Sequence, residues 1–270
     1  MTNAQITIFT DLVETNLIEK SVVPSVARGL YNGQIVRGGA IDILGTEAVT
    51  IGQYSGTITH QNLDGTNQKV QISHAPFYSV KLDGVKDIAT APTNLKSHVT
   101  KEAGKGLALD VDASLVALAS KAKVTVTGVI ATVDKAFSGL ATAFDLANVG
   151  MNDRACIGSP SVINTLVELQ GSALQGEKAS NMVYEGYIGK YMGIEVFKSN
   201  SIKKTATVSN CIGLDMSALV LAKNYDETRD MTDASFFGVA VQGVLSYGID
   251  IIETETDKSN RIIAFDIDEA

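Results

Sequence analysis

Few side chains in this sequence stand at the spacings that catalysis or ligand binding requires. The stretch Gly171–Gly176 begins as a phosphate-binding loop does, but Glu177 occupies the position of the phosphate-contacting lysine. Ser159 lies between Gly158 and Pro160, so the Gly-x-Ser-x-Gly turn of a serine hydrolase is missing. We therefore interpret the glycine-rich stretch as a surface loop and expect neither nucleotide chemistry nor a serine nucleophile.

Metal-binding patterns are equally weak. His60, His74 and His98 are too widely separated for the short spacings of zinc motifs, so we interpret each as a surface or interface histidine. The segment Asn62–Asn67 has the oxygen-bearing side chains of a calcium loop. However, His60 occupies the position of the first carboxylate and no distal glutamate follows. A hairpin tip explains this segment better, and we predict no metal site.

The two cysteines and one acidic cluster complete the search for chemistry. Cys156 and Cys211 have no Cys or His neighbour at ligand spacing, which favours buried, reduced thiols, with a disulfide left open. An acidic cluster is interpreted as a solvated loop: Asp226, Glu227, Arg229, Asp230 and Asp233. The sequence therefore predicts no catalytic residue and no cofactor site, and we expect a protein that is not an enzyme.

Composition restricts the class of protein further. The chain has 270 residues, 45% hydrophobic and 19% charged, with 30 acidic and 22 basic side chains and a net charge of −8. Disordered chains carry more charge and less apolar content, disulfide scaffolds need many cysteines, and DNA readers carry a basic surplus. No secretory signal is present, and no run approaches the roughly 18 apolar residues that cross a bilayer. Low charge and only 4 prolines fit a subunit that covers its surface with copies of itself.

The first third of the chain contains elements without an evident core of their own. Ile6–Lys20 has the apolar spacing of an amphipathic helix that ends before Pro24, and Ser25–Tyr31 is expected to form one further turn. Gly33–Asp83 alternates in β-branched and polar residues, and Asp64-Gly65 predicts a tight hairpin turn. Isolated two-stranded ribbons are marginally stable, so we expect this one to rest on another subunit.

A long helix is predicted next, from Pro92 to Lys123. Its apolar stripe recurs mostly every four residues, at Leu95, Val99, Ala103, Leu107, Val111, Leu115 and Leu118. Gly104 and Gly106 each weaken the helix by about 1 kcal/mol, so a bend or break is expected there.

Strands and helices alternate from Val124 onward. The longest predicted strand, Phe237–Ile251, keeps apolar residues on one parity, and Ile262–Ile267 is expected to pair with it. The remaining predictions are strand 124–130, a helix capped by Asp134 and ending at Leu146, strand 155–158, a helix from Pro160 to Leu169, a hairpin of 187–192 with 194–198, and strands 211–214 and 218–222.

This order of elements resembles the major capsid proteins of tailed bacteriophages, the Hong Kong-97 phage capsid fold. Phe77–Lys86 resembles the return strand of their long hairpin, and Arg154–Leu166 resembles their strand–helix step. Gly189–Asn200 matches best, as a Gly-x-x-x-Gly-apolar-x-Val-x-x-Ser-Asn segment, and Tyr247–Ile251 resembles their terminal strand. The fold class implied is α+β.

The resemblance implies a domain division and a set of partners. The implied parts are an N-terminal arm (1–32), an extended β-hairpin loop (33–82), a peripheral domain with a spine helix (83–123), an α/β axial domain (124–235) and return strands of the peripheral domain (236–270). It further implies self-assembly into hexamers and pentamers of an icosahedral virion shell around double-stranded DNA, without sequence-specific DNA binding or a membrane, in the bacterial host cytoplasm. Portal, decoration and separate scaffolding proteins are implied partners.

Two family features remain open. Some relatives carry an N-terminal scaffolding segment that a protease removes, so this chain is expected to be processed or to use a separate scaffolding protein. Some relatives also form crosslinks between lysine and asparagine, and Lys69, Asn62 and Asn67 lie in the corresponding loop.

Three other readings of the sequence are weaker. An encapsulin-type compartment shares the fold but encloses enzymes. A phage tail-tube or adhesin protein would be mainly β, and the predicted long helix argues against it. A hydrolase would have to use the acidic cluster.

Overall fold

The computed structural model describes residues 21–27, 29–32, 39–46, 51, 53, 60, 65–83, 92–170, 187–202, 204–232, 238–252 and 261–270. The helices within these ranges are α1 (Val23–Val26), α2 (Pro92–Ala117), α3 (Val133–Leu146) and α4 (Pro160–Gln170). The strands are β1 (Gly29–Asn32), β2 (Ala40–Thr46), β3 (Gly65–Gln71), β4 (Phe77–Asp83), β5 (Val124–Val129), β6 (Arg154–Gly158), β7 (Tyr187–Tyr191), β8 (Ile194–Lys198), β9 (Lys204–Thr205), β10 (Val208–Asp215), β11 (Leu219–Thr232), β12 (Gly238–Ile251) and β13 (Ile262–Asp268).

Helix α2, the spine helix, is continuous and passes into a 3-10 turn at Leu118–Lys121. The C-terminal part of the predicted stripe is buried, at Leu107, Val111, Leu115 and Leu118, while Val99 and Ala103 pack at the edge of the same core. Of the predicted bend or break at Gly104 and Gly106, the break is wrong, and the bend stays a prediction. Burial of several aliphatic side chains, each contributing about 1.5–3 kcal/mol, outweighs the cost of two glycines.

One sheet has four strands in the order β1-β11-β12-β4. The strand predicted at Phe237–Ile251 is confirmed as β12, which pairs antiparallel with β11 through a bulge between Tyr225 and Glu227. β1 pairs parallel with the start of β11. The turn predicted at Ser25–Tyr31 is therefore only partly correct, because α1 begins at Val23 and a strand begins at Gly29.

The second sheet has seven strands, in the order β5-β13-β10-β6-β8-β7, with β9 beside β10. The predicted hairpin of β7 and β8 is confirmed, and its turn has positive φ at both Met192 (49°) and Gly193 (80°), as a type I′ turn requires. Helix α3 begins one residue before Asp134, which lies in the first turn. The prediction of Asp134 as the N-cap is therefore wrong.

The partner predicted for the last strand is also wrong. β13 does not pair with β12; it lies between β5, to which it is parallel, and β10, to which it is antiparallel. Its residues are apolar on both faces at one end, Ile262 facing one core and Ile263 the other. A strand buried on both faces belongs in the interior of a sheet. β12 and β13 thus lie in different sheets, and the domain boundaries remain a prediction.

Two large cores lie on opposite faces of the seven-stranded sheet. One face, with Ile212 and Leu214, packs against the spine helix and the four-stranded sheet. The other face is covered by α3 and α4. Phe137 of α3 lies edge-on to Tyr191 and to Phe265, at ring-centroid distances of 5.7 and 5.1 Å. The seven-stranded sheet therefore joins the two halves of the molecule.

Strands β2 and β3 form an antiparallel ribbon whose base rests on the four-stranded sheet of the same chain. Ile41, Ile43 and Val70 pack there against Val220 and Ala222. The expectation that the ribbon needs another subunit for support is wrong for this described base. Gly65 lies within β3 opposite Thr46, so it is not part of a tight turn between the paired strands.

Candidate assembly site

The positions singled out for chemistry fall in separate places. Gly171–Gly176 and the side chains of the acidic cluster lie outside the described residues, although Asp226–Asp230 belong to β11 and not to a loop. His60 and His74 are exposed, and the side chain of His98 is not among those described. Within the described part of the chain, no three His, Cys, Asp or Glu side chains converge as a metal site would require.

The cysteines and the crosslinking candidates do not form a reactive site in the described residues. Cys156 and Cys211 are both buried and free, as predicted. Burial raises the pKa of Cys211 to about 12 and the pKa of Cys156 well above its usual value, so both thiols are held in the unreactive protonated form. Lys69 Nζ lies 3.8 Å from Asp42 Oδ1, an exposed pair on the ribbon. The side chains of Asn62 and Asn67 lie outside the described residues.

Contacts between distant segments converge instead on one turn of the spine helix. Asp112 is buried, and its Oδ1 accepts hydrogen bonds from Ser21 Oγ at 2.7 Å and from the Val22 amide at 3.1 Å. Its second oxygen, Oδ2, lies 3.5 Å from Ser199 Oγ, just beyond the end of β8. Burial raises the pKa of Asp112, and the hydrogen bonds from Ser21, Val22, Val23 and Ser199 lower it less. The segment Ser21–Val22, the spine helix and the end of a strand of the seven-stranded sheet therefore meet at this carboxylate.

Tyr247 makes the corresponding link from β12. Its hydroxyl lies 2.6 Å from Ser114 Oγ and donates to Asp110 Oδ2 at 2.8 Å, and burial raises the pKa of the phenol. The His74 ring stacks on the Tyr247 ring at 5.0 Å, and the two backbones exchange hydrogen bonds of 3.1 and 2.9 Å. The segment that leaves the ribbon is thus attached to the spine helix through one aromatic side chain.

The ribbon base is attached to β12 by backbone contact. Gln68 Nε2 donates to the Ile251 carbonyl at 2.8 Å. A methyl group on Gly248 would lie 3.0 Å from the Gln71 carbonyl carbon and 3.2 Å from the Ile72 Cα, so the approach of the two chains requires glycine. The base of the ribbon is therefore fixed against β12.

Several large apolar side chains are exposed on the subunit. The most exposed is Ile51, at 94%, and others are Phe77, Leu146, Met151 and Met192. Met151 Cγ lies 4.0 Å from the Cβ position of Gly193, so Met151 and Met192 share one end of the molecule. Of these side chains, Met151 and Met192 form a small apolar pair on the surface.

A second polar cluster attaches the end of the described chain to the seven-stranded sheet. Glu269 accepts hydrogen bonds from Lys204 Nζ and Ser161 Oγ, each at 2.6 Å, and from Ser209 Oγ. Burial raises the pKa of Glu269, but these bonds and the charge of Lys204 outweigh it and lower the pKa to about 2. The cluster contains hydroxyls and a carboxylate, but these groups hydrogen-bond to one another. They hold Glu269 against β10 and α4.

Acid is expected to weaken this attachment. Because the folded pKa of Glu269 lies below its ordinary value of 4.5, the ionised group stabilises the fold above that pH and this contribution is lost as the pH falls toward 2. Glu269→Gln should therefore show a smaller drop in Tm than the unchanged protein between neutral pH and about pH 3, measured by circular dichroism. Glu168→Gln, at an exposed site on α4, is the control and should follow the unchanged protein. An equal drop in all three proteins would contradict the assignment.

The residues that connect distant segments to the spine helix and to β12 were not predicted from the sequence to make these contacts. Asp112 had a recognisable signal, since it lies one turn from Ala108 and Leu115 on the buried face of a predicted helix, where a carboxylate is unusual. Tyr247 and Gly248 lay in a predicted strand, and neither residue type nor spacing marked their partners.

No protein-family profile and no curated protein matches the chain by sequence. Solved structures are similar in fold. A chain of Mycobacterium phage Che8 has a TM-score of 0.68 at 17% identity, covering 91% of this chain and 90% of that one. The capsid of Ralstonia phage GP4 has a TM-score of 0.69 at 13% identity, covering 91% and 87%. A virus-like particle from Pyrococcus furiosus has a TM-score of 0.61 at 10% identity, covering 97% and 99%.

These similarities extend over about nine-tenths or more of this chain. The described helices include none with the length and hydropathy to span a bilayer. With its described ribbon, spine helix and mixed α/β sheets, the chain has the fold of tailed-bacteriophage major capsid proteins.

Proposed function

We propose that this protein is a capsid subunit that assembles with copies of itself into hexamers and pentamers of an icosahedral shell around phage double-stranded DNA. The observation that carries the proposal is the similarity to capsid chains over about nine-tenths of both lengths. The described ribbon and spine helix also support a structural subunit, because a compact enzyme does not need such elements. A virion location, assembly in the host cytoplasm, and separate scaffolding, portal and decoration proteins belong to the same proposal.

The charge of the chain supports a container more than a DNA-binding protein. Affinity for nucleic acid depends chiefly on basic side chains that neutralise phosphates. A subunit with a net charge of −8 is suited to a wall along which DNA moves without being held. Purified subunits should accordingly bind DNA weakly. Strong, salt-sensitive binding would contradict this part of the proposal.

A protein compartment is the second candidate. The similarity to the virus-like particle from Pyrococcus furiosus covers 99% of the length of that chain, so a similar fold also occurs in a particle of that kind. The two candidates differ in contents, because a phage shell encloses DNA and a compartment of the encapsulin type encloses enzymes.

Electron microscopy of the expressed full chain, alone and with a co-expressed scaffolding protein, tests the proposal. Closed shells or rings of five and six subunits are expected. A strictly monomeric protein under both conditions would contradict the proposed function. Particles isolated from infected cells should hold nuclease-protected DNA, whereas particles filled with a co-purified enzyme would favour the compartment.

A further inference from the structure

Asp112 differs from the other acidic residues of the spine helix in being removed from water. Asp112 is only 5% exposed, and Ser21, its nearest hydrogen-bond partner, is 0% exposed. These two residues are 91 positions apart in the chain, and the Ser21 hydroxyl donates to the carboxylate at 2.7 Å. Transfer of a carboxylate from water into a protein interior costs several kcal/mol unless hydrogen bonds replace its hydration. A carboxylate in this position therefore needs hydrogen bonds that replace its lost hydration.

The donors that compensate Asp112 all come from one short segment and one loop. Ser21 and Val22 donate to Oδ1, and the Ser21 hydroxyl in turn accepts from the Val23 amide at 3.3 Å. The carboxylate thus occupies the position of an external cap for the start of α1, where amides lack partners within the helix. Ser199 contributes a longer contact from the end of β8.

The segment held by Asp112 is a single helical turn whose apolar side chains are buried in the core. Its internal hydrogen bonds run from the Ser25 amide to the Val22 carbonyl (3.1 Å) and from the Ala27 amide to the Val23 carbonyl (2.8 Å). Val23 and Val26 fill the core beside Leu107 and Val111 of the spine helix. A helix of a single turn is not stable by itself, so its position depends on this packing and on the carboxylate.

We propose that Asp112 is a conformational latch, which fixes the segment Ser21–Ala27 to the spine helix and makes Ser21 the anchor of the chain that precedes it. Opening the latch exposes Asp112 and hydrates Val23 and Val26 while both main sheets stay folded. Local opening of a short segment is a common form of motion in folded proteins. The Ser199 contact ties the same latch to the seven-stranded sheet, so displacement of that sheet relative to the spine helix loosens the anchor.

Hydrogen exchange of the full chain, read by mass spectrometry, tests the latch. Asp112→Ala should accelerate exchange of the amides of residues 22–27 by about tenfold or more, because bonds to a charged acceptor are lost. Exchange in α3, β10 and β13 should not change. Asp112→Asn should stay closer to the unchanged protein, since the amide side chain keeps an acceptor oxygen and has no charge to bury.

Two further variants keep the test decisive. Asp110→Ala removes an exposed carboxylate two residues before Asp112 that accepts from Tyr247, and it should leave exchange of residues 22–27 unchanged. Ser21→Ala removes only the hydroxyl donor and should accelerate exchange at 22–27 by a smaller factor, which keeps the proposal testable if Asp112→Ala fails to fold. Unchanged exchange at 22–27 in Ser21→Ala and Asp112→Ala, or equal acceleration there and in β10 and β13, would overturn the latch.

Discussion

A variant in which a short glycine–serine linker replaces residues 48–63 is expected to fold normally and to form no particles. The paired base of the ribbon ends at Thr46 and Gly65, so its pairing and its packing on Val220 and Ala222 are retained. The described residues within the replaced segment, Ile51, Gln53 and His60, are all exposed. The loss of these three residues removes no core contact of the subunit. The replacement does remove part of the segment that we expect, from the sequence, to rest on another subunit.

The measurement is sedimentation and electron microscopy, with thermal unfolding as the check on folding. A second variant with a glycine–serine segment of the original length separates the effect of length from that of side chains. Particle yield should fall to background in the short variant, while its Tm stays near that of the unchanged protein. Normal particles from a folded short variant would show that the ribbon tip is not needed for assembly.

Gly248→Ala is expected to lower the free energy of unfolding by about 2–3 kcal/mol. The added methyl group would meet the backbone of Gln71 and Ile72, which cannot turn aside as a flexible side chain could. The ribbon base must then move away from β12, which also weakens the cluster around Ile41 and Val70 and the bond from Gln68. We expect this variant to assemble poorly as well, because the ribbon leaves the subunit in an altered direction.

Gly106→Ala is the matched control for this substitution. Nothing lies within 4 Å of the methyl position at Gly106, which is exposed in the middle of the spine helix. Alanine there should stabilise the protein by about 0.5–1 kcal/mol, because glycine weakens a helix interior. Urea unfolding of both variants measures the difference. Equal stability of Gly248→Ala and the unchanged protein would contradict the close approach of the ribbon to β12.

Local patterns predicted the elements whose structure depends on their own residues. The spine helix followed from its four-residue apolar repeat, and β12 followed from the parity of its apolar residues. The β7–β8 hairpin followed from two short apolar runs around Gly193. In each case most of the described side chains that carried the pattern are buried in the core, so pattern and structure have the same cause.

Pairing between distant segments was not predictable in the same way. β13 follows β12 in the chain and was expected beside it, yet it lies between β5 and β10, because its apolar faces fit the interior of the other sheet. A single sequence does not indicate which of two sheets a strand will join. The contact between Gly248 and Gln71 is a similar case, since the need for glycine arises only when two backbones meet.

The composition, the absence of recognisable active-site motifs, the long helix and the resemblance to phage capsid proteins could be recognised from the sequence by itself. Tertiary structure alone decided that the ribbon base rests on its own subunit, that β13 is an interior strand, and that Asp112 joins Ser21 to the spine helix. The physical reason is that local periodicity records which face of an element is buried, whereas the choice of partner depends on shape and desolvation at contacts between residues far apart in the chain.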